Sequence, residues 1–158
     1  MAIVIGEMKE NEATICAFIA CNSLIGVRYN HTLEVLSSRL TDALKNNELL
    51  IVAKKDEVIV GFAWISPKGA FSSAPYLRLI AVDELVRGQK VGSLLLEAFE
   101  NLTYHIGRDF FLLVSDFNED ALRFYKRHGY ENRGVLPDFA RPGITEYIMV
   151  KKRKADDI

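Results

Sequence analysis

Cysteine is scarce in this chain. Cys16 and Cys21 are its only two. They make neither a disulfide framework nor a C-x-x-C pair, which points to a reducing compartment. An excess of one charge is missing too. Twenty Lys and Arg face 21 Asp and Glu, for a formal net charge of -1. Nothing in that balance advertises nucleic acid, a membrane surface or a polyanion. No apolar run approaches the ~18 residues of a membrane span. The opening Met1-Ala2-Ile3-Val4-Ile5-Gly6-Glu7 has no basic region and meets Glu7 too soon for a secretory signal. His31, His105 and His128 show no metal-ligand spacing. No Pro/Gly/Ser linker, repeat or low-complexity tract divides the chain. These absences predict a soluble cytoplasmic domain with no metal, no nucleic-acid partner and no membrane partner.

What the chain has is apolar material. Of its 158 residues, 49% are hydrophobic and 26% charged. That suffices for one packed domain over residues 1–158 and argues against disorder. Ile3 to Met8 reads as a short strand. Asn11 to Asn22 reads as an apolar helix with a break near Ser23. In His31 to Asn46, Leu33, Leu36, Leu40 and Leu44 recur at helical spacing. Leu49 to Lys54 and Val58 to Ser66, split by Lys55-Asp56-Glu57, read as an antiparallel hairpin. Pro67 to Pro75 reads as a loop and Tyr76 to Val82 as a strand.

Val91 to Gly107 carries the strongest helical stripe, with Gly107 placed to end it. Phe110 to Ser115 is a continuous apolar strand of the kind buried on both faces. Asn118 to His128 reads as a helix stopped by Gly129, and Tyr130 to Leu136 and Thr145 to Lys151 as closing strands. Lys151-Lys152-Arg153-Lys154 opens a basic tail, residues 151–158, expected to be solvated. The order predicts an α/β fold, with a mixed central sheet of about seven strands flanked by about four helices. The unit from Tyr76 to Ser115 should be a right-handed parallel crossover.

The chemistry is concentrated between Leu79 and Tyr130. Strand Leu79-Ile80-Ala81-Val82 enters a polar turn, and Arg87-Gly88-Gln89-Lys90-Val91-Gly92-Ser93 opens the strong helix. The first N–H groups of a helix have no partner within it and lie at the positive end of its dipole. Gly88 and Gly92 let a ligand approach the backbone, Arg87 and Lys90 add positive charge, and Ser93 adds a hydroxyl. Such a cradle suits a phosphate or pyrophosphate. A strand-to-helix turn whose Gly92 serves close packing is the plainer alternative. Neither a Walker A loop nor a G-x-G-x-x-G fingerprint is present. Further on, Asn118 and Tyr125 stand seven apart on the next helix. They share a face, about 10 Å apart along the axis.

Taken together these segments resemble the GNAT superfamily of N-acetyltransferases. The family's acetyl-coenzyme A loop, [QR]-x-x-G-x-[GA], is matched by Arg87-Gly88-Gln89-Lys90-Val91-Gly92 except at Lys90, where the family prefers glycine. Its N-x-x-A-x-x-x-Y-x-x-x-G-[FY] helix is matched at Asn118, Ala121, Tyr125, Gly129 and Tyr130. The hairpin holding Val60-Gly61-Phe62 looks like the family's second and third strands. The likeness runs from about Leu49 to Lys151.

The resemblance implies an acyltransferase that moves acetyl from acetyl-CoA, its cosubstrate, to an amine acceptor. Backbone groups of Ile80, Ala81 and Val82 would pair with the pantetheine arm between two splayed strands. The N–H near Val82 would polarise the acetyl carbonyl. Loop amides from Arg87 to Ser93, including those of Gln89 and Val91, would hold the pyrophosphate. Asn118 would hydrogen-bond the pantetheine beside Ala121. Tyr125 would be the general acid at the sulfur, protonated at neutral pH because its ordinary pKa is ~10 against ~8.5 for a thiol. Many relatives pair as dimers, which leaves a homodimer open.

Other readings accompany each role. Tyr125 could be a half-buried packing aromatic, Asn118 a helix cap and Arg87 a solvated charge. Asp116 lies near the expected acetyl site, but Asp116-Phe117-Asn118-Glu119 reads as a D-x-x-E helix start, which favours a cap over a general base. Asp83, Glu84 and Glu146 have no strong claim to that role. Tyr29, His31, Phe71, Tyr76, Arg78, Asp138 and Phe139 are candidates to line the acceptor surface. The alternative function is a non-catalytic acyl-CoA-binding or sensor module, with Lys90 as its main support.

Overall fold

The segments Leu49–Lys55 and Val58–Ala70 are apolar almost throughout because both of their faces are covered. Leu50, Val52, Phe62 and Trp64 point into one core cluster, and Ile51, Ala53, Ala63 and Ile65 into another. This alternation is what the pleat of a strand produces. The computed structural model describes residues 2–153. In chain order its elements are β1 (Ile3–Glu7), α1 (Ala13–Cys21), α2 (Leu24–Arg28), α3 (Leu33–Lys45), β2 (Leu49–Lys55) and β3 (Val58–Ala70). They continue with β4 (Ala74–Val82), α4 (Val91–Thr103), β5 (Asp109–Ser115), α5 (Glu119–Arg127), β6 (Glu131–Pro137) and β7 (Thr145–Lys152). Single 3-10 turns, Glu10–Glu12 and Glu84–Val86, precede α1 and α4.

All seven strands form one mixed sheet in the order β1-β2-β3-β4-β5-β7-β6. Residues of α1 and α3, among them Cys16, Ala17, Leu36 and Leu40, close the core on one side of it. Leu95, Leu96 and Phe99 of α4 and Tyr125 of α5 close the core on the other. The expected α/β architecture with a mixed sheet of seven strands is the one observed.

The pair β4–β5 is the parallel one, and it positions the site. Its register holds at Tyr76↔Phe111 and Leu77↔Leu112. Beyond that point Leu79–Val82 stays paired with β3, and Leu113–Ser115 with β7. The carboxyl ends of two parallel strands therefore part, and α4 and α5 begin just after them. Ligand crevices in α/β sheets form where strand ends diverge in this way.

Several boundaries differ from the sequence reading. The expected loop Pro67 to Pro75 shrinks to Phe71–Ser73, since β3 runs on to Ala70 and β4 starts at Ala74. Pro67 is tolerated because it falls where the β3–β4 register shifts, between Ser66 and Ala70. α4 stops at Thr103, four residues before Gly107. Thr103 Oγ1 donates back to the Phe99 carbonyl and Ile106 N–H donates to the Thr103 carbonyl, closing a turn. Gly107 then takes φ +62° against the β3–β4 hairpin, where a Cβ would lie 2.6 Å from the Ser73 carbonyl oxygen. β5 alternates buried and half-buried residues rather than being sealed on both faces. The expected tail is also shorter. Lys151 and Lys152 belong to β7, where Lys151 pairs with Glu100 at 2.9 Å and Lys152 with Asp109 at 2.9 Å. Residues 154–158 of that tail lie outside the described residues. The break near Ser23 is present. Ser23 caps α2 by accepting from Gly26 N–H at 3.1 Å.

Candidate active site

Two adjoining cavities open at the β4–β5 gap. The first, about 420 Å³, lies between the end of β4, the start of α4 and one face of α5. The second, about 320 Å³, lies between α2, α3, β4, β5 and β7. Ile25, Ile80, Asn118, Ala121 and Tyr125 line both. Every residue expected at the cofactor lines the first cavity except Gln89. Gln89 turns aside and accepts from Lys55 Nζ at 2.7 Å.

The turn into α4 explains the Lys90 departure. Lys90 is the residue before the helix and has φ 66°, ψ 18°, a left-handed conformation. Glycine adopts it without strain, whereas a side chain brings Cβ against the following carbonyl. Gly88 is also left-handed at φ +83°, with open space where a Cβ would sit. No side chain caps α4, so none competes for its first N–H groups. Gly92 is less demanding, since a Cβ there would meet Phe124 at an ordinary 3.4 Å. Arg87 and Lys90 are exposed, and neither forms an ion pair among the described residues.

The strand beside this turn exposes backbone. Asp83 N–H donates to the Val60 carbonyl. Strand alternation then directs Ala81 N–H to β3 and leaves Ile80 and Val82 N–H facing the gap. Ala81 packs its side chain into the α1–α3 core.

Asn118, not Asp116, caps α5. Its Oδ1 accepts from Ala121 N–H at 3.3 Å, while Asp116 is exposed. The cap reading for Asn118 is therefore the one observed, and Asp116 with Glu119 only mimics a capping box two residues earlier. Asn118 Nδ2 keeps no partner among the described residues, so capping and lining the cavities are compatible. Tyr125 is 6% exposed, and burial pushes its phenol above its ordinary pKa. Its hydroxyl has no hydrogen-bond partner among the described residues.

The second cavity holds what the sequence reading undervalued. Glu146 is 5% exposed, in β7. Its Oε2 accepts from Ser115 Oγ at 2.9 Å and from Tyr29 Oη, and those two hydroxyl oxygens lie 2.5 Å apart. Burial and the Glu146 hydrogen bond push Tyr29 up to about 12, so it stays a donor. Strand pairing Ser115↔Glu146 and the fold of α2 bring these residues together across the chain, and no local spacing announces them. Of the expected acceptor residues, Tyr29, His31, Tyr76, Arg78 and Phe139 line this cavity. Phe71 instead packs edge-on against Phe111, and Asp138 accepts from Gly143 N–H at 2.6 Å. Two neighbours of the first cavity also went unnoticed. Arg127 lines it, and His128 Nε2 lies 3.0 Å from Ser93 Oγ.

The acetyltransferase (GNAT) domain matches residues 46–132, from β2 through the start of β6. This chain belongs to the GNAT acetyltransferase family. A curated relative, the mycothiol acetyltransferase of Brachybacterium faecium, is 33% identical over 102 residues, 63% of this chain and 31% of that protein. The match covers 49% and 55% of two other curated relatives, so the chain spans about a third to half of their lengths. The crystal structure of Ard1 from Thermoplasma volcanium superposes with a TM-score of 0.79 at 26% identity, covering 98% of this chain and 99% of that one. The PaiA N-acetyltransferase of Thermoplasma acidophilum, solved in complex with coenzyme A, superposes with a TM-score of 0.76 at 19% identity. It covers 97% of this chain and 100% of that one. The GNAT motif residues flank the β4–β5 gap. No helix among the described residues is long and apolar enough to cross a membrane, and no cluster of three metal-ligating side chains occurs among them.

Proposed function

We propose that this domain transfers the acetyl group of acetyl-CoA to a primary amine by direct attack in a ternary complex. The observation that carries the reading is the β4–β5 gap, which joins a cradle for an anion to a second cavity through Tyr125. The residues present fit acetyl-CoA. The uncapped start of α4, with Arg87, Lys90 and Arg127 around it, suits a pyrophosphate. Free Ile80 and Val82 N–H groups suit an amide-bearing arm laid alongside β4. When bound, acetyl-CoA supplies a thioester carbonyl and a thiolate leaving group.

The protein's own groups then have distinct tasks. Val82 N–H polarises the acetyl oxygen. Asn118 Nδ2 holds the arm. Tyr125 keeps its proton, because burial disfavours the phenolate. It therefore stabilises negative charge on sulfur by donating a hydrogen bond, and relays a proton to it. A phenol that had to give up its proton outright would be poorly served by the same burial. The unpartnered Tyr125 hydroxyl favours this enzyme over a non-catalytic acyl-CoA sensor, since a packing aromatic has no use for it.

Calorimetric titration with acetyl-CoA and coenzyme A tests the cofactor half. Micromolar binding is expected, and no binding by wild type or Lys90→Gly refutes the reading. Thiol release on adding an amine tests the chemistry. Binding without release for any amine would favour the sensor.

A further inference from the structure

The second cavity is lined by charges of both signs. One is the buried Glu146 carboxylate. It sits opposite Ser115, where β5 has already left β4. Both hydroxyl donors, Tyr29 and Ser115, bind its Oε2, which leaves Oε1 without a partner among the described residues. Tyr125 lines this cavity too. Elsewhere on the lining stand Arg39 of α3 and Arg78 of β4. Both guanidinium groups lie over the ring of Trp64, at 5.2 and 4.7 Å from its centroid. Trp64 is itself anchored by its Nε1 donating to Glu48 at 3.0 Å. Stacking on a fixed indole restrains the two arginines without using their N–H donors.

Neither arginine has a carboxylate within ion-pair distance among the described residues. His31, which packs edge-on against Tyr29, is held below its ordinary pKa by burial first and then by the positive charge of Arg39 and Arg141. Two unpaired guanidiniums on the cavity lining suit a carboxylate, phosphonate or phosphate. A lone buried carboxylate with one free oxygen matches an ammonium.

We propose that the acceptor is a small zwitterionic amine, its ammonium meeting Glu146 and its anionic group meeting Arg39 and Arg78. This rests on the acetyltransfer reading above. A cavity of about 320 Å³ is at the small end of ligand sites, which favours a free amino acid or aminoalkylphosphonate over a peptide. Glu146 takes one proton from the ammonium, which leaves a neutral nitrogen. The N–C bond forms, the C–S bond breaks and its electron pair goes to sulfur. The nitrogen's second proton reaches sulfur through Tyr125, and Glu146 releases the first to solvent.

The test is thiol release from acetyl-CoA with three sets of acceptors. They are free amino acids and aminoalkylphosphonates, the corresponding amides and decarboxylated amines, and a short peptide with an acidic amino terminus. Zwitterions should be preferred in kcat/KM by about 100-fold over partners lacking the anion, a difference of about 2.7 kcal/mol. Arg39→Gln and Arg78→Gln should raise KM for zwitterions, abolish that preference and leave coenzyme A binding unchanged. Both side chains are exposed, so folding should survive. Arg78→Lys should restore part of the preference. Equal rates on neutral-tailed amines, preference for the peptide, or a preference that persists in both glutamine variants would overturn the proposal while leaving acetyl transfer intact. Absent coenzyme A binding, or no release with any amine, would instead refute the acetyltransfer reading on which it rests.

Discussion

Lys90→Gly separates backbone strain from charge at the proposed cofactor cradle. Lys90 holds φ 66° at the residue before α4. A left-handed conformation costs an L-residue roughly 1–2 kcal/mol. Glycine relieves it, but its extra freedom in the unfolded chain returns roughly 0.5–1 kcal/mol. Lys90 is exposed and makes no hydrogen bond or ion pair through its side chain among the described residues, so nothing else is lost. The net expectation is a stabilisation of about 0.5–1 kcal/mol, or about 1–4 °C in Tm for a chain of this size. Lys90→Ala is the control. It removes the same ammonium and keeps the strain, so it should sit at or just below wild type. Urea and thermal unfolding of the three proteins give the comparison. Coenzyme A affinity gives the second axis. If the ammonium contributes as an exposed charge, both variants should lose about 2–5-fold in Kd. A glycine variant less stable than the alanine variant would refute the strain argument. A loss of affinity in glycine but not in alanine would refute the assignment of the effect to charge.

Tyr125→Phe should lower kcat by about 100-fold or more while leaving stability nearly unchanged, because the hydroxyl it deletes makes no hydrogen bond among the described residues; a stability loss above about 1 kcal/mol would mark the phenol as structural. Gly26→Ala should cost more than about 2 kcal/mol, since the new Cβ would lie 2.1 Å from the Ala20 carbonyl oxygen and 2.8 Å from Cys21 Cα; a variant that unfolds like wild type would show that α2 can slide off α1. His31 has a folded pKa depressed below 6.5, so the unfolded state binds its proton first as pH falls. Stability should therefore decline from pH 7 through the folded pKa, by at most about 1.4 kcal/mol per pH unit. His31→Gln should flatten that decline in urea titrations at pH 7.5, 6.5 and 5.5, and an unchanged slope would clear His31 of the effect.

How much of this was legible in the sequence follows from the range of each interaction. The strand–turn–helix carrying Arg87 to Ser93, and the helix carrying Asn118 and Tyr125, are local objects. Their spacing and punctuation are set within a dozen residues, and the structure brings them to one cavity. Gln89 is the exception in that set, because Lys55, a distant partner, draws its side chain away. Boundaries were read wrongly where local and tertiary signals competed. Gly107 carries a helix-stop signal, yet Thr103 ends the helix first and Gly107 serves the β3–β4 hairpin instead. Lys151 carries a tail signal, yet Glu100 and Tyr130 hold it in the sheet.

The proposed acceptor side was least legible because it is made wholly of such long-range meetings. Glu146 reaches Ser115 across 31 residues and Tyr29 across 117, and Arg39 and Arg78 meet on an indole that belongs to neither of their elements. In isolation each residue reads as an ordinary strand or helix charge. A carboxylate is rarely buried unless it is satisfied or used. Here Tyr29 and Ser115 satisfy one oxygen and leave the other toward a cavity that Tyr125 also lines. That asymmetry is hard to explain as structure alone, since a purely structural carboxylate would be served by donors on both oxygens. It is what the proposed ammonium site needs, and Tyr29, reaching Ser115 from just beyond α2, maintains it.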